Sequence, residues 1–179
     1  MQPSQDMKTW LLALSLAPVI ASAETPKASE QLSDANVQIV AKLHHANLME
    51  MDMSGTAIVR GTKAVKPFAS TMVREHKAAD AKLVQLARRH GLTAIPEPAD
   101  MPPDDPSKKL EKLEGAKFDV AYVDQMILDH SDGLHLIDTA LSIVKDPDLR
   151  AALTEVRPMI QRHLDAALKL QKPQASAQR

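Results

Sequence analysis

Cysteine is absent from all 179 residues, which excludes disulfides, iron–sulfur clusters, thiolate zinc sites and a lipid-bearing cysteine. Aromatic residues are scarce, with two Phe, one Tyr and one Trp. Runs rich in Val, Ile, Thr and Tyr are missing, so no sheet is expected. An excess of one charge sign is lacking too: 22 Lys and Arg stand against 23 Asp and Glu. A net charge of −1 gives no electrostatic case for nucleic acid or an acidic lipid surface as partner. No apolar run reaches the roughly twenty residues that a membrane helix needs.

What remains is 44% hydrophobic and 25% charged, an ordinary balance for a folded domain. Ala, Leu, Lys, Glu, Gln and Met dominate, the residues that lose least on entering a helix. Residues 1–23 read as a secretory signal peptide: Lys8 supplies the positive end, Trp10 to Ile20 the apolar stretch, and Ala21-Ser22-Ala23 the small-x-small cleavage pattern. The alternative is an uncleaved N-terminal anchor. Cleavage predicts an exported, periplasmic product with a flexible lead over 24–32, one helical domain over 33–172 and a polar tail over 173–179.

Apolar residues recur at helical spacing throughout that domain. Ser33 or Asp34 can cap a first helix to Arg60, with Gly61 as its stop. Thr62 can cap a second that ends near His90 before Gly91, although Pro67 implies a distorted first turn or a later start. Five prolines between Gly91 and Pro106 (96, 98, 102, 103 and 106) break the chain. Ser107 to Glu114 can form a short helix stopped at Gly115. A third long helix is expected from Phe118 to Lys145, and Asp146-Pro147 restarts a fourth that reaches Leu170. Four amphipathic helices can enclose one core, so the expected fold is an all-α, antiparallel four-helix bundle with a Pro-rich connection between helices two and three.

Polar residues interrupt the apolar stripes at matching places. His76 falls between Met72 and Ala79, His130 between Met126 and Leu134, and His163 between Ile160 and Ala167; helix one inserts Asn47 and Glu50. His76 lies 15 residues past Gly61, His130 lies 16 before Asp146, and His163 lies 17 after it. At about 1.5 Å per residue these depths agree within about 3 Å. A buried imidazole or carboxylate is costly unless paired or metal-bound. Three imidazoles and Glu50 converging at mid-bundle point to a metal ion, with copper, iron and zinc all open. A hydrogen-bonded core network is the alternative.

Methionine precedes each of these histidines by four residues (Met72, Met126 and Met159), one turn below it on the same face. Soft sulfur there suits copper, whereas gap-filling in the core is the plainer explanation. Asn47 and the three methionines are thus candidate further ligands or supports. Glu75 and Asp129, adjacent to key histidines, are expected to face outward, with a rim role as the other option. Of His44 and His45 at most one faces inward, and His90 suits a helix C-terminus. Pro158 removes the amide that would bond to Thr154.

Phe68-Ala69…Met72-Val73…His76, Gly115…Phe118-Asp119…Tyr122…His130, Pro158…His163-Leu164 and Asn47-x-x-Glu50 together resemble an exported bacterial family. It is a ferritin-like domain of unknown function, often labelled an outer-membrane or exported protein. The resemblance spans about Asp34 to Leu170 and implies a ferritin-like bundle with Glu50, His76, His130 and His163 at recurrent polar positions; it implies no activity. Di-iron ferritins use Glu-x-x-His, whereas Val73 and Ile160 stand three before His76 and His163 here. A mononuclear, histidine-rich site in metal handling or oxidative stress is therefore expected. A non-enzymatic envelope-stress module with the histidines as a pH sensor is the competing reading. No nucleophile–base pair or cofactor fingerprint is visible in the sequence.

Overall fold

A computed structural model describes residues 30–100 and 106–172 of the chain. The expected signal peptide, most of the lead and the polar tail lie outside the described residues. The helices are α1 (Asp34–Arg60), α2 (Lys66–Arg89), the short α3 (Ser107–Leu110), α4 (Gly115–Ile143) and α5 (Pro147–Gln171), with no strand among the described residues.

Local chemistry sets most boundaries. Ser33 Oγ accepts from the Asn36 amide at 3.3 Å, and Asp146 Oδ1 accepts from the Leu149 amide at 2.8 Å, each satisfying an otherwise orphaned donor. Gly91, at φ 84°, closes α2 as its amide reaches the Arg88 carbonyl and that of Leu92 reaches Ala87. Two expectations shift, at Thr62 and Gly115, and the one at Gly61 holds. Thr62 does not open α2; its amide binds Asp119 Oδ1 at 2.9 Å, and the helix waits until Lys66, which leaves Pro67 in the first turn where no amide is needed. Gly61 stops α1 by close approach: a Cβ there would lie 2.5 Å from Val65 Cγ2 and 2.6 Å from the Ala57 carbonyl. Gly115, at φ 57°, opens α4 instead of ending α3, and α4 ends at Ile143.

α1 pairs with α2 and α4 with α5 as two hairpins, and α1–α4 and α2–α5 contacts complete the bundle. At one end Arg60 donates to the carbonyls of Leu110 and Glu111, and Gln171 to Asp124 Oδ1 at 2.8 Å. At the other end His90, only 3% exposed, donates to the Glu30 carbonyl and sits 3.5 Å from Asp148 and 3.8 Å from Asp146. It is a buried tie between the segment before α1, the end of α2 and the start of α5, not only a residue suited to the helix dipole. The connection from α2 to α4 must therefore return along the whole bundle. Asp100, 2.7 Å from Lys42, and Ala99, whose amide donates to Gln38, hold its first stretch to α1.

The core falls into two clusters. Beside the α1–α2 turn, Phe68, Phe118 and Tyr122 pack with Met53, Met72 and Met126. Toward the α4–α5 turn, Leu83, Leu86, Ile137, Leu149, Leu153 and Ile160 form an aliphatic cluster.

Candidate metal centre

Between those two clusters lies a layer of buried polar side chains. Asn47, Glu50, His76, His130 and His163 are each at most 8% exposed. α1 supplies the first two, and α2, α4 and α5 supply one imidazole each. One nitrogen from each ring lies within 4.8 Å of the other two. His76 Nε2 and His163 Nδ1 are 3.2 Å apart, and His130 Nε2 and His163 Nδ1 are 3.3 Å apart. Glu50 Oε2 approaches His76 Nε2 to 2.8 Å and His130 Nε2 to 3.8 Å.

The outer nitrogens fix where the ring protons sit. His130 Nδ1 faces the Met126 carbonyl at 2.8 Å, which can only accept. His76 Nδ1 faces Asn47 Oδ1 at 2.9 Å, and Asn47 turns its amide nitrogen to Asp80 Oδ1 at 3.5 Å. His163 Nε2 donates to Glu75 Oε2 at 2.9 Å. With the outer nitrogen of each neutral ring carrying the hydrogen, the three inner nitrogens present lone pairs to one another. Glu50 Oε2 is buried and makes no hydrogen bond, because its short approach to His76 is poorly aligned.

Such a cluster of acceptors is suited to a cation. A tetrahedral centre with metal–nitrogen distances of about 2.0–2.1 Å holds its ligand nitrogens roughly 3.3 Å apart, close to two edges of this triangle. The residues present thus fit a first-row transition ion, with His76, His130 and His163 as nitrogen donors and Glu50 as an oxygen donor.

Burial and mutual repulsion depress two of the imidazoles, His130 and His163. Desolvation holds His130 below its ordinary value, and desolvation with the charges of His76 and His130 takes His163 down to about 4. Both are therefore neutral and able to ligate near pH 7. Burial pushes the Glu50 carboxyl up, but the surrounding imidazoles outweigh it and hold the group below the carboxylate range. The same holds for Glu75, where hydrogen bonds from Arg74 and His163 prevail over burial.

Glu75 does not simply face outward: it orients the His163 ring from the groove between α2 and α5. Asp129 is half-buried, and desolvation raises it to about 6; Oδ1 accepts from Gln125 at 2.8 Å while Oδ2 is buried without a partner. His44 and His45 are half-buried alike, His44 lying 2.7 Å from Asp80 and His45 3.7 Å from Glu97. The methionines do not share one side of the layer. Met72 and Met126 are buried in the aromatic cluster, whereas Met159 packs against the aliphatic one. α5 runs opposite to α2 and α4, so the same four-residue step leads the other way.

Residues 21–170 match the family described as "Domain of unknown function (DUF4142)", and the chain belongs to it. Two solved structures share the fold. One is a DUF305 fragment from Deinococcus radiodurans, with a TM-score of 0.70 and 13% identity, covering 79% of this chain and 97% of that one. The other is a protein provisionally assigned to the spore coat of Bacillus halodurans C-125, with a TM-score of 0.63 and 15% identity, covering 80% of this chain and 89% of that one. No curated protein matches the chain.

Proposed function

We propose that this member of the family binds a single transition-metal ion in the polar layer, through His76, His130, His163 and Glu50. The observation that carries the reading is the set of outer partners. Asn47, the Met126 carbonyl and Glu75 each draw a ring proton outward and leave the inner nitrogens free to donate. Metal-ligating histidines are oriented in this way by carboxylate and carbonyl acceptors. Imidazole and carboxylate donors suit zinc, iron and copper, and the ion supplies Lewis acidity or redox capacity according to its identity.

The proposal extends to the cellular setting. The signal-like residues 1–23 support an exported, periplasmic protein in metal handling or protection from oxidative stress. The single long crossover supports placing the bundle among ferritin-like folds. Among the described residues no helix is long and apolar enough to cross a membrane.

Elemental analysis of untagged protein tests the reading. Stoichiometric metal is expected, lost on His76→Ala, His130→Ala or His163→Ala, with the purified apoprotein regaining zinc, iron or copper on titration. Wild-type protein that is metal-free and takes up none of the three overturns it. In that case the 3.2 and 3.3 Å contacts of His163 Nδ1 with His76 and His130 favour a hydrogen-bonded imidazole network, recognised by stability that follows pH and ignores chelators.

A further inference from the structure

Beside the polar layer, on its aliphatic side, the bundle holds a cavity of about 300 Å³ that opens to the surface along the α2–α5 seam. Its walls are mostly apolar, including Leu43, Leu83, Ile137, Leu153 and Ile160. Small residues contribute to its lining from three helices: Ala78 and Ala79 on α2, Gly133 on α4 and Ala152 on α5. Along the α2–α5 seam the ion pairs Lys82–Glu155 and Arg162–Glu75 bridge the two helices, and all four of these residues line the cavity. At the layer the lining turns acidic: Glu50 and Asp129 both contribute, and each has a buried carboxylate oxygen without a hydrogen bond.

We propose that this cavity is a binding site for a small apolar amine, its hydrocarbon body among the aliphatic walls and its ammonium group against Asp129 and Glu50. Size sets the body: an apolar cavity of about 150 Å³ takes up benzene, so this one has room for about twelve non-hydrogen atoms. Chemistry sets the head. The unpartnered polar atoms at the inner end are acceptors, so the ligand must donate. Acidic groups in the lining (Glu50, Glu75, Asp129 and Glu155) outnumber Lys82 and Arg162, which favours a cation over an alcohol or a carboxylate. The Asp129 anchor does not depend on the metal reading, since Asp129 is not among the proposed ligands.

Calorimetric titration of chelator-treated, full-length mature protein with octylamine, octanol and octanoate tests the assignment. Octylamine is expected to bind at least about tenfold more tightly than octanoate, with octanol between them. Ala79→Leu, which fills the void, should weaken octylamine binding about tenfold or more, and Ala152→Leu on the facing wall serves if that variant does not fold. Asp129→Asn should remove the preference for the amine over octanol. His163→Ala, outside the lining, should abolish metal uptake and spare amine binding, so the two readings fail separately. Octanoate binding as tightly as octylamine, no octylamine binding, or undiminished binding to both filled variants would overturn the proposal.

Discussion

On the two sides of the imidazole layer the same four helices enclose different interiors. Toward the α1–α2 turn, Phe118 and Tyr122 are fully buried, Phe68 nearly so, and both Phe rings lie 6.1 Å from that of Tyr122. Tyr122 shares a 2.8 Å hydrogen bond with Ser54, which satisfies its hydroxyl, and burial raises its pKa. Toward the α4–α5 turn the buried side chains are aliphatic, and a void of about 300 Å³ remains. Helices are stiff rods, so the bulky half sets a separation that Ala79, Ala152 and Gly133 cannot span in the other. Both Phe residues and the Tyr of the chain have gone to one side. The hollow is where the scarce aromatics are not.

The largest expected effect is in the packed half. Phe118→Ala should cost about 3–5 kcal/mol in urea denaturation, against about 2–3 kcal/mol for Leu149→Ala, whose side chain borders existing empty space. Equal losses would erase the distinction between the halves. The second effect sits at their boundary and is read on chelator-treated protein. His163, depressed from 6.5 to about 4, leaves the native state with fewer protons than the unfolded chain in that window. Its contribution is complete above pH 6.5 and is lost as pH falls toward 4, in total about 3 kcal/mol. Asp129, raised from 3.8 to about 6, opposes this, because its native form binds more protons between those values and gains stability on acidification. Asp129→Asn should therefore make the fall between pH 6 and 4 steeper than in wild type. Parallel pH profiles of melting temperature would contradict the pairing of these two groups.

Smaller effects sharpen the contrast. Ala69→Leu, at a fully buried position in the aromatic cluster, should destabilise by about 1–3 kcal/mol through overpacking. Ala79→Leu, beside the void, should be neutral or stabilising in the same thermal melt, and a comparable loss at both positions would mean that the void cannot be filled. Smallest, Asp146→Ala should remove the α5 cap for about 1 kcal/mol, detectable as a shift in the urea midpoint.

The helices were legible because a 3.6-residue period survives in all four, and the caps at Ser33 and Asp146 announce their starts. The common depth of His76, His130 and His163 was legible because distance from a turn measures height along a rod. Four features were not. The sequence left the topology open, since residues close to mid-helix stay level whichever way the third helix runs. Running direction also decides which side of the layer a neighbouring residue joins, so Met159 parted from Met72 and Met126. Glu75 and Asp129, one residue from their histidines, are rotated off the core stripe, yet at bundle corners that rotation aims a side chain into the seam with the next helix. The cavity depends on side-chain volumes from all four long helices together; the small residues at 78, 79, 133 and 152 were its only trace in the sequence.

The long return between α2 and α4 makes each hairpin a contiguous stretch of chain, and such stretches form from local contacts early in folding. Neither owns the imidazole layer: His76, Glu50 and Asn47 come with the first hairpin, His130 and His163 with the second. The layer therefore comes into being only when the hairpins dock. Completion of that layer is a clock for the final step of assembly, silent while each half is already helical and sounding once they meet.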